Sequence, residues 1–329
     1  MINLPKLTPW EEIDDPIHLF SRFSLKRNLA RHPFPHKLST ENKNHLFSLI
    51  PKAISFQDIS PQEREQLGSI FHIHGGFQHL QEGQGFLYSY PSLTLINRED
   101  HLSLYTLTPA SKWAEGKKCL LEKEKELGTL FPFAYHPKFG FLTSSFDQCG
   151  SAFTYTIDLH LPLLHRLGHL QAALDEELEE GVILSSPQGD FISISNQSTL
   201  GLTEEHILHT VNASAQHLKR AELALREHIG EHKEIKDLIL RAFGLLKHSC
   251  QLELAETIDA LSLLMLGVEL HLFTGLTFKE LFALTFLSKR EFLNLETGDD
   301  LSEKRAHFCQ ERLALIKSSN PECLEKFDT

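Results

Sequence analysis

His72-Ile-His74 is an H-x-H pair, which on a strand would set two imidazoles on one face as metal ligands. No third ligand follows at a convincing spacing, and a chain with 20 histidines produces such pairs by chance. His165 and His169 stand one helical turn apart and are set aside on the same ground. Gly83-Gln-Gly85 lacks the lysine and the following helix of a phosphate loop and reads as a turn. Cys119, Cys149, Cys250, Cys309 and Cys323 include no C-x-x-C pair; a dispersed, odd set points to a reducing compartment without a disulfide framework. Cys149 reads as a small buried apolar residue. The denser chemistry lies in Gly140-Phe-Leu-Thr-Ser-Ser-Phe-Asp-Gln-Cys-Gly-Ser-Ala-Phe153, in Asn97-Arg-Glu-Asp-His101, and around Arg22 and Arg27.

These residues need a frame. Phe86–Ile96, Leu102–Leu107, Phe139–Ser144 and Ala152–Leu161 are rich in Phe, Tyr, Thr, Leu and Ile and read as strands, punctuated by Pro and Gly. Leu163–Leu178 reads as one helix with Leu164, Leu167 and Leu174 on one side. Beyond Thr203, which can cap a helix carrying Glu204 and Glu205 in its first turn, the pattern is helical throughout. Ile207, Val211, Leu218, Leu225 and Ile229 form one stripe, ended by Gly230; Leu254, Ile258, Leu261, Met265, Val268 and Leu272 form another. Thr277-Phe-Lys-Glu280 matches a capping box. The fold class is α+β, with an α+β domain over residues 1–202 and an all-helical domain over 203–329.

The 329 residues suffice for a substantial core. A net charge of −12 argues against nucleic acid and anionic membrane as partners. The most apolar run, Ile258–Leu276, is broken by Asp259, Glu269 and His271 and reads as a buried helix; without a signal pattern at the N-terminus, the expected location is cytoplasmic.

The Gly140–Phe153 segment resembles the stretch of the phosphagen (guanidino) kinases that reads roughly G-F/Y-L-T-x-C-P-T-N-x-G-T, closest to the bacterial protein-arginine kinases. Ser21–Leu29 with Pro33-Phe-Pro35, Ile96–Ser103 and Ile194–Glu205 are similar to three further family motifs, in the family's order. Leu240–Leu246, Leu266–Leu270 and Lys304-Arg-Ala306 are similar to the C-terminal domain of the protein-arginine kinases. The resemblance implies an antiparallel sheet flanked by helices, over which ATP·Mg²⁺ meets a guanidinium. Five arginines, a cysteine and a glutamate would serve the transfer.

On that frame Ser145 occupies the cysteine's place, and Glu99 matches the carboxylate that holds the guanidinium. Arg22 matches the first phosphate-binding arginine; the next three positions fall on Ser24, Ser103 and Thr154. The loop that carries the fifth is short here, Val182–Phe191, and has no arginine. A hydroxyl brings neither the charge nor the planar fork of a guanidinium. Four such losses remove about 6–12 kcal/mol of interaction with a triphosphate if they add. Glu99 has an equal claim as a sheet carboxylate paired with Arg98 or a lysine, and Arg22 and Arg27 as carboxylate-paired or solvated arginines. Asn97, Asp100 and His101 are expected to hold a turn. The family's phosphoarginine-binding motif leaves Arg305 here, with Leu301 and Ser302 at its other positions, and Ser302 reads as the cap of the last helix.

The resemblance thus implies a protein-arginine-kinase-like chain that is a pseudokinase. It would act as an interaction or regulatory subunit without a cofactor, beside an active kinase paralogue or protein quality-control machinery, and as a homodimer if the helical part pairs. The alternatives are an active protein-arginine kinase using ATP and Mg²⁺ in a rebuilt site, and a phosphoarginine-binding module working through Arg305.

Overall fold

Phe20, Arg22, Ser24 and Lys26 alternate with Ser21, Phe23, Leu25 and Arg27, the period of a strand whose two faces meet different surroundings. The computed structural model, which describes residues 8–73, 77, 80–185, 188–229, 233–296 and 298–318, makes this stretch β1 (His18–Arg27). There follow β2 (Ile54–Ser55), β3 (Gly85–Ser89), β4 (Ser92–Ile96), β5 (Leu102–Pro109), β6 (Tyr135–His136), β7 (Gly140–Phe141), β8 (Phe153–His160), β9 (Val182–Leu184) and β10 (Phe191–Asn196). One antiparallel sheet runs β2-β3-β4-β5-β1-β8-β10-β9, and β6 and β7 form a separate hairpin.

The helices are α1 (Thr40–Ser48), α2 (Pro61–Ile70), α3 (Trp113–Leu130), α4 (Pro162–Arg166), α5 (Leu170–Glu177), α6 (Glu204–Glu227), α7 (Lys233–His248), α8 (Leu254–Glu269), α9 (Phe278–Leu287) and α10 (Leu301–Leu313). The back face of the sheet carries Phe23, Leu25, Tyr155, Ile157, Ile192 and Ile194, buried with Leu120 of α3 and Ile207, Val211 and Leu218 of α6. Phe23 stacks on Tyr155 at 4.6 Å. Burying each such side chain contributes about 1.5–3 kcal/mol. Thus α6, helical by its stripe, packs on the sheet.

The front face is covered over β3 and β4, where Phe86, Leu93 and Leu95 lie buried with Phe56, and again at one end of the sheet. There α9 sets Phe282 against Phe20 and Phe191, at 5.9 and 5.7 Å, and Phe278 lies 5.7 Å from His160. A buried polar joint ties the same region: Asp190 accepts from His165, Arg166 and Ser262, and Arg166 reaches Asp259 of α8. Toward the other end, Ser24, Lys26, Tyr105 and Thr154 stay half-buried.

Several sequence expectations change. Leu163–Leu178 is two helices, because Gly168 takes φ +73 and the chain turns there, which also separates His165 from His169. Only Gly140–Phe141 of the Phe139–Ser144 run pairs as a strand. The Ile258–Leu276 run leaves the helix at Glu269, and its end contributes β11 (Phe273–Thr274), paired with β12 (Lys317–Ser318). Among the described residues, no helix is long and apolar enough to cross a membrane. The cap of α10 is Asp300, not Ser302: its carboxylate accepts from the N–H groups of Ser302 and Glu303. Thr203 and the Thr277–Glu280 capping box cap α6 and α9 as expected. Gly230 lies outside the described residues.

Candidate functional site

The front of the sheet collects the sequence-singled positions in neighbouring rows. Ser24 lies opposite Tyr105 of β5 on one side and Thr154 of β8 on the other; one pleat along, Lys26 faces Ser103. Apart from Lys26, the floor is therefore hydroxyls. Tyr105 remains a neutral phenol, since burial first and the Glu99 charge second push it up to about 12.

Arg22 is the one guanidinium from the expected set that shares this face, and it is already engaged. Its Nε and Nη2 each lie 2.6 Å from an oxygen of Asp158, a forked pair, and Ser193 Oγ donates to the same carboxylate. Burial alone would raise Asp158, but the Arg22 charge, His72 and these hydrogen bonds hold it down at about 2. Asp158 is the residue that sequence reasoning missed. Its only signal is a lone acid in a strand that is apolar or hydroxylated up to the closing His160, on the parity of Thr154 and Thr156.

Glu99 and Ser145 sit on adjoining loops above this floor. Ser144 joins them: its N–H donates to Asp100 Oδ1 at 2.7 Å and its hydroxyl to the Glu99 carbonyl at 2.6 Å. Asn28 donates to Asp100 and accepts from the His101 N–H, so Asp100 and His101 hold the turn. Asn97 does the same with φ +55 and donates to the Lys43 and Gly83 carbonyls. The Glu99 side chain is 79% exposed, and its partner is Lys26 at 3.3 Å rather than Arg98, which donates to Gln84. Ser145 is exposed and turns its hydroxyl to Asp147 at 2.5 Å; Cys149 is buried behind it, near Thr143. Arg27 is buried and ion-paired with Glu124 at 2.6 Å.

Two glycines shape this loop. Gly140 has φ +71 and Gly150 φ +107, and a Cβ on Gly150 would stand 2.4 Å from the Thr199 carbonyl oxygen. Gly150→Ala is expected to cost about 3 kcal/mol in urea unfolding; an unchanged midpoint would show that the loop has other ways to close.

Arg305 lies apart, in α10. Its Nε and Nη1 donate to the carbonyls of Ser288 and Leu252, at 2.9 and 2.7 Å, and burial is the first cause lowering its pKa. It lines a cleft of about 990 Å³ between the sheet and the helical tail, together with Arg22, Asp158, Phe282 and Lys289. His72 follows α2 with φ +53, not in a strand, and His74 lies outside the described residues. No group of three or more His, Cys, Asp or Glu among the described residues is placed to hold a metal ion.

This sheet, with helices behind it, is the fold of the guanidino kinases. The duplicated taurocyamine kinase from Schistosoma mansoni superposes with a TM-score of 0.56 over 65% of this chain and 34% of its own, at 19% identity. Lombricine kinase gives 0.52 over 66% and 69%, at 15% identity. Residues 37–225 match the ATP:guanido phosphotransferase C-terminal catalytic domain, and 232–323 the C-terminal domain of the protein-arginine kinase McsB. The chain belongs to the ATP:guanido phosphotransferase family. It is 33% identical over 273 residues to the protein-arginine kinase of Chlamydia pneumoniae, covering 76% of each chain. It is 29% identical to that of Desulforamulus reducens, covering 92% of this chain and 95% of the relative.

Proposed function

We propose that this chain is a non-catalytic member of the protein-arginine-kinase group, a pseudokinase acting as an interaction or regulatory subunit. One observation carries it: the retained guanidinium, Arg22, is closed on Asp158, beside Ser24, Ser103 and Thr154 where the resemblance calls for arginines. A triphosphate laid on this floor would meet hydroxyls, a lysine already paired with Glu99, and a carboxylate, which repels it. The residues present do not fit ATP·Mg²⁺ held in the family's manner. The partner would be an active kinase paralogue or quality-control machinery, met in the cytoplasm.

Incubation with ATP·Mg²⁺ and an arginine-rich protein such as casein is expected to form no phosphoarginine. Robust labelling that Glu99→Gln abolishes would sink the proposal.

The competing reading is a working kinase with a rebuilt nucleotide site, favoured by the exposed Glu99 carboxylate with Lys26 beside it. Calorimetry separates the two, since that reading requires micromolar ATP binding. A phosphoarginine reader would use Arg305, whose Nε and Nη1 are directed at backbone carbonyls.

A further inference from the structure

The β6–β7 hairpin and the adjoining Ser145 loop expose aromatic rings that no other element covers among the described residues. Phe146 and Tyr135 are 66% and 61% exposed, the highest among the Phe, Tyr and Trp side chains of the described residues. They belong to two ring clusters that the hairpin brings side by side into one rim. Phe146 meets Phe139 at 6.1 Å, His136 stacks on Phe139 at 5.0 Å, and Tyr135 packs edge-on to Phe141 at 5.4 Å.

The rim is braced from beneath. The Arg27 guanidinium lies 3.6 Å from the centre of the Phe141 ring and is fixed by Glu124 and by the Lys26 and Ser151 carbonyls. The platform is thus built before anything binds, which lowers the ordering cost of binding.

Its charge departs from that of the chain. Acidic residues outnumber basic ones 44 to 32 overall, yet Leu127–Phe146 contains Lys138 and His136 and no Asp or Glu. Leu29–Thr40, joined to it by the Leu29–Phe133 bridge and the Ala30 to Pro132 hydrogen bond, carries Arg31 and Lys37 and again no acid. Of the bordering carboxylates, Glu99 is ion-paired with Lys26 and Glu124 with Arg27; Asp147, which accepts from the Ser145 hydroxyl, and the exposed Glu41 keep their charge at its edge.

We infer that this rim is a docking surface for an acidic segment of a partner protein that carries aromatic or aliphatic side chains among its Asp and Glu. The exposed rings supply apolar area, and the local excess of cations complements the acids. The rest of an acidic chain repels such a segment, so the field itself favours this location. A segment docked on Phe146 reaches the mouth of the Glu99 and Ser145 loops. The inference goes beyond the pseudokinase proposal and does not depend on it.

The test uses the full chain and a fluorescein-labelled peptide of Glu and Asp interspersed with Phe, read by anisotropy. Saturable, salt-sensitive binding is expected. The double variant Tyr135→Ser/Phe146→Ser and, separately, Lys138→Glu should each weaken it about tenfold. All three side chains are exposed, so folding should survive, which circular dichroism checks. Lys118→Glu, on the exposed side of α3, should leave binding unchanged. Absence of saturable binding, or equal binding by the rim variants, overturns the inference. So does tighter, rim-dependent binding of single-stranded DNA of matched charge. Phosphoarginine formation would defeat the pseudokinase proposal and leave this one standing.

Discussion

A chain carrying Ser24→Arg, Ser103→Arg and Thr154→Arg together with Asp158→Ala is expected to bind ATP·Mg²⁺ about a thousandfold more tightly than the natural chain. Each guanidinium on a phosphate is worth about 1.5–3 kcal/mol, and Asp158→Ala frees Arg22 as a further arm. The sum must be discounted. Ser24 and Thr154 are direct cross-strand neighbours, so two arginines there repel each other until an anion arrives. About 4 kcal/mol of net gain remains, which is the stated factor. Calorimetry with ATP and ADP reads it directly. The nucleotide should also raise the melting temperature of the quadruple variant, and not that of the natural chain. Asp158→Ala alone should gain about tenfold, because one arm is freed while the hydroxyl floor stays. Equal affinities in all three proteins would mean that the phosphates were never directed at this row.

Much of this arrangement was legible in the chain, for identifiable reasons. The framework motifs are local: a glycine that must take positive φ, a capping threonine and an alternating strand are each decided within a few residues. Gly140, Gly150, Thr203 and β8 therefore fall where the pattern places them. Ser24 and Thr154, singled out from separate stretches of the sequence, lie opposite each other on one sheet face.

What the chain did not disclose is cross-strand. Asp158 reaches Arg22 across 136 positions and diagonally, because Arg22 is registered with Thr156. That register includes an irregularity between His18 and Phe20, which no local pattern announces. Lys26 likewise reaches Glu99 from another strand, displacing the sequence neighbour Arg98. The break at Gly168 was missed for a different reason. The apolar spacing continues across it, so periodicity alone outweighed one glycine.

Acid is expected to unfold this protein through two buried histidines, with about 4 kcal/mol of stability lost between pH 6.5 and 4.5. His160 is fully buried at the joint between sheet and tail, its Nε2 2.8 Å from Ser262 Oγ and its ring against Phe191. Burial first, and the Arg226 and Arg166 charges against the opposing Asp190, bring it down to about 3. His101, whose Nδ1 lies 2.7 Å from Asn28 Oδ1, is brought to about 4 by burial and then by His32. Both folded values lie below the unfolded value near 6.5, so the unfolded chain binds more protons as pH falls. Their contribution is complete above pH 6.5 and disappears as pH falls toward the folded values. Of a typical total of about 5–15 kcal/mol, that is a large share. Urea midpoints at half-unit pH steps measure it, and His160→Gln, which keeps a hydrogen-bonding side chain without the titration, should flatten the slope by about half. Asp158 acts in a different window: its folded value near 2 lies below the unfolded 3.8, so its share is lost only below pH 4. A natural chain equally stable at pH 6.5 and 4.5 would rule the histidines out, and a loss confined below pH 4 would assign acid sensitivity to carboxylates held low in the fold, Asp158 and Asp15 among them.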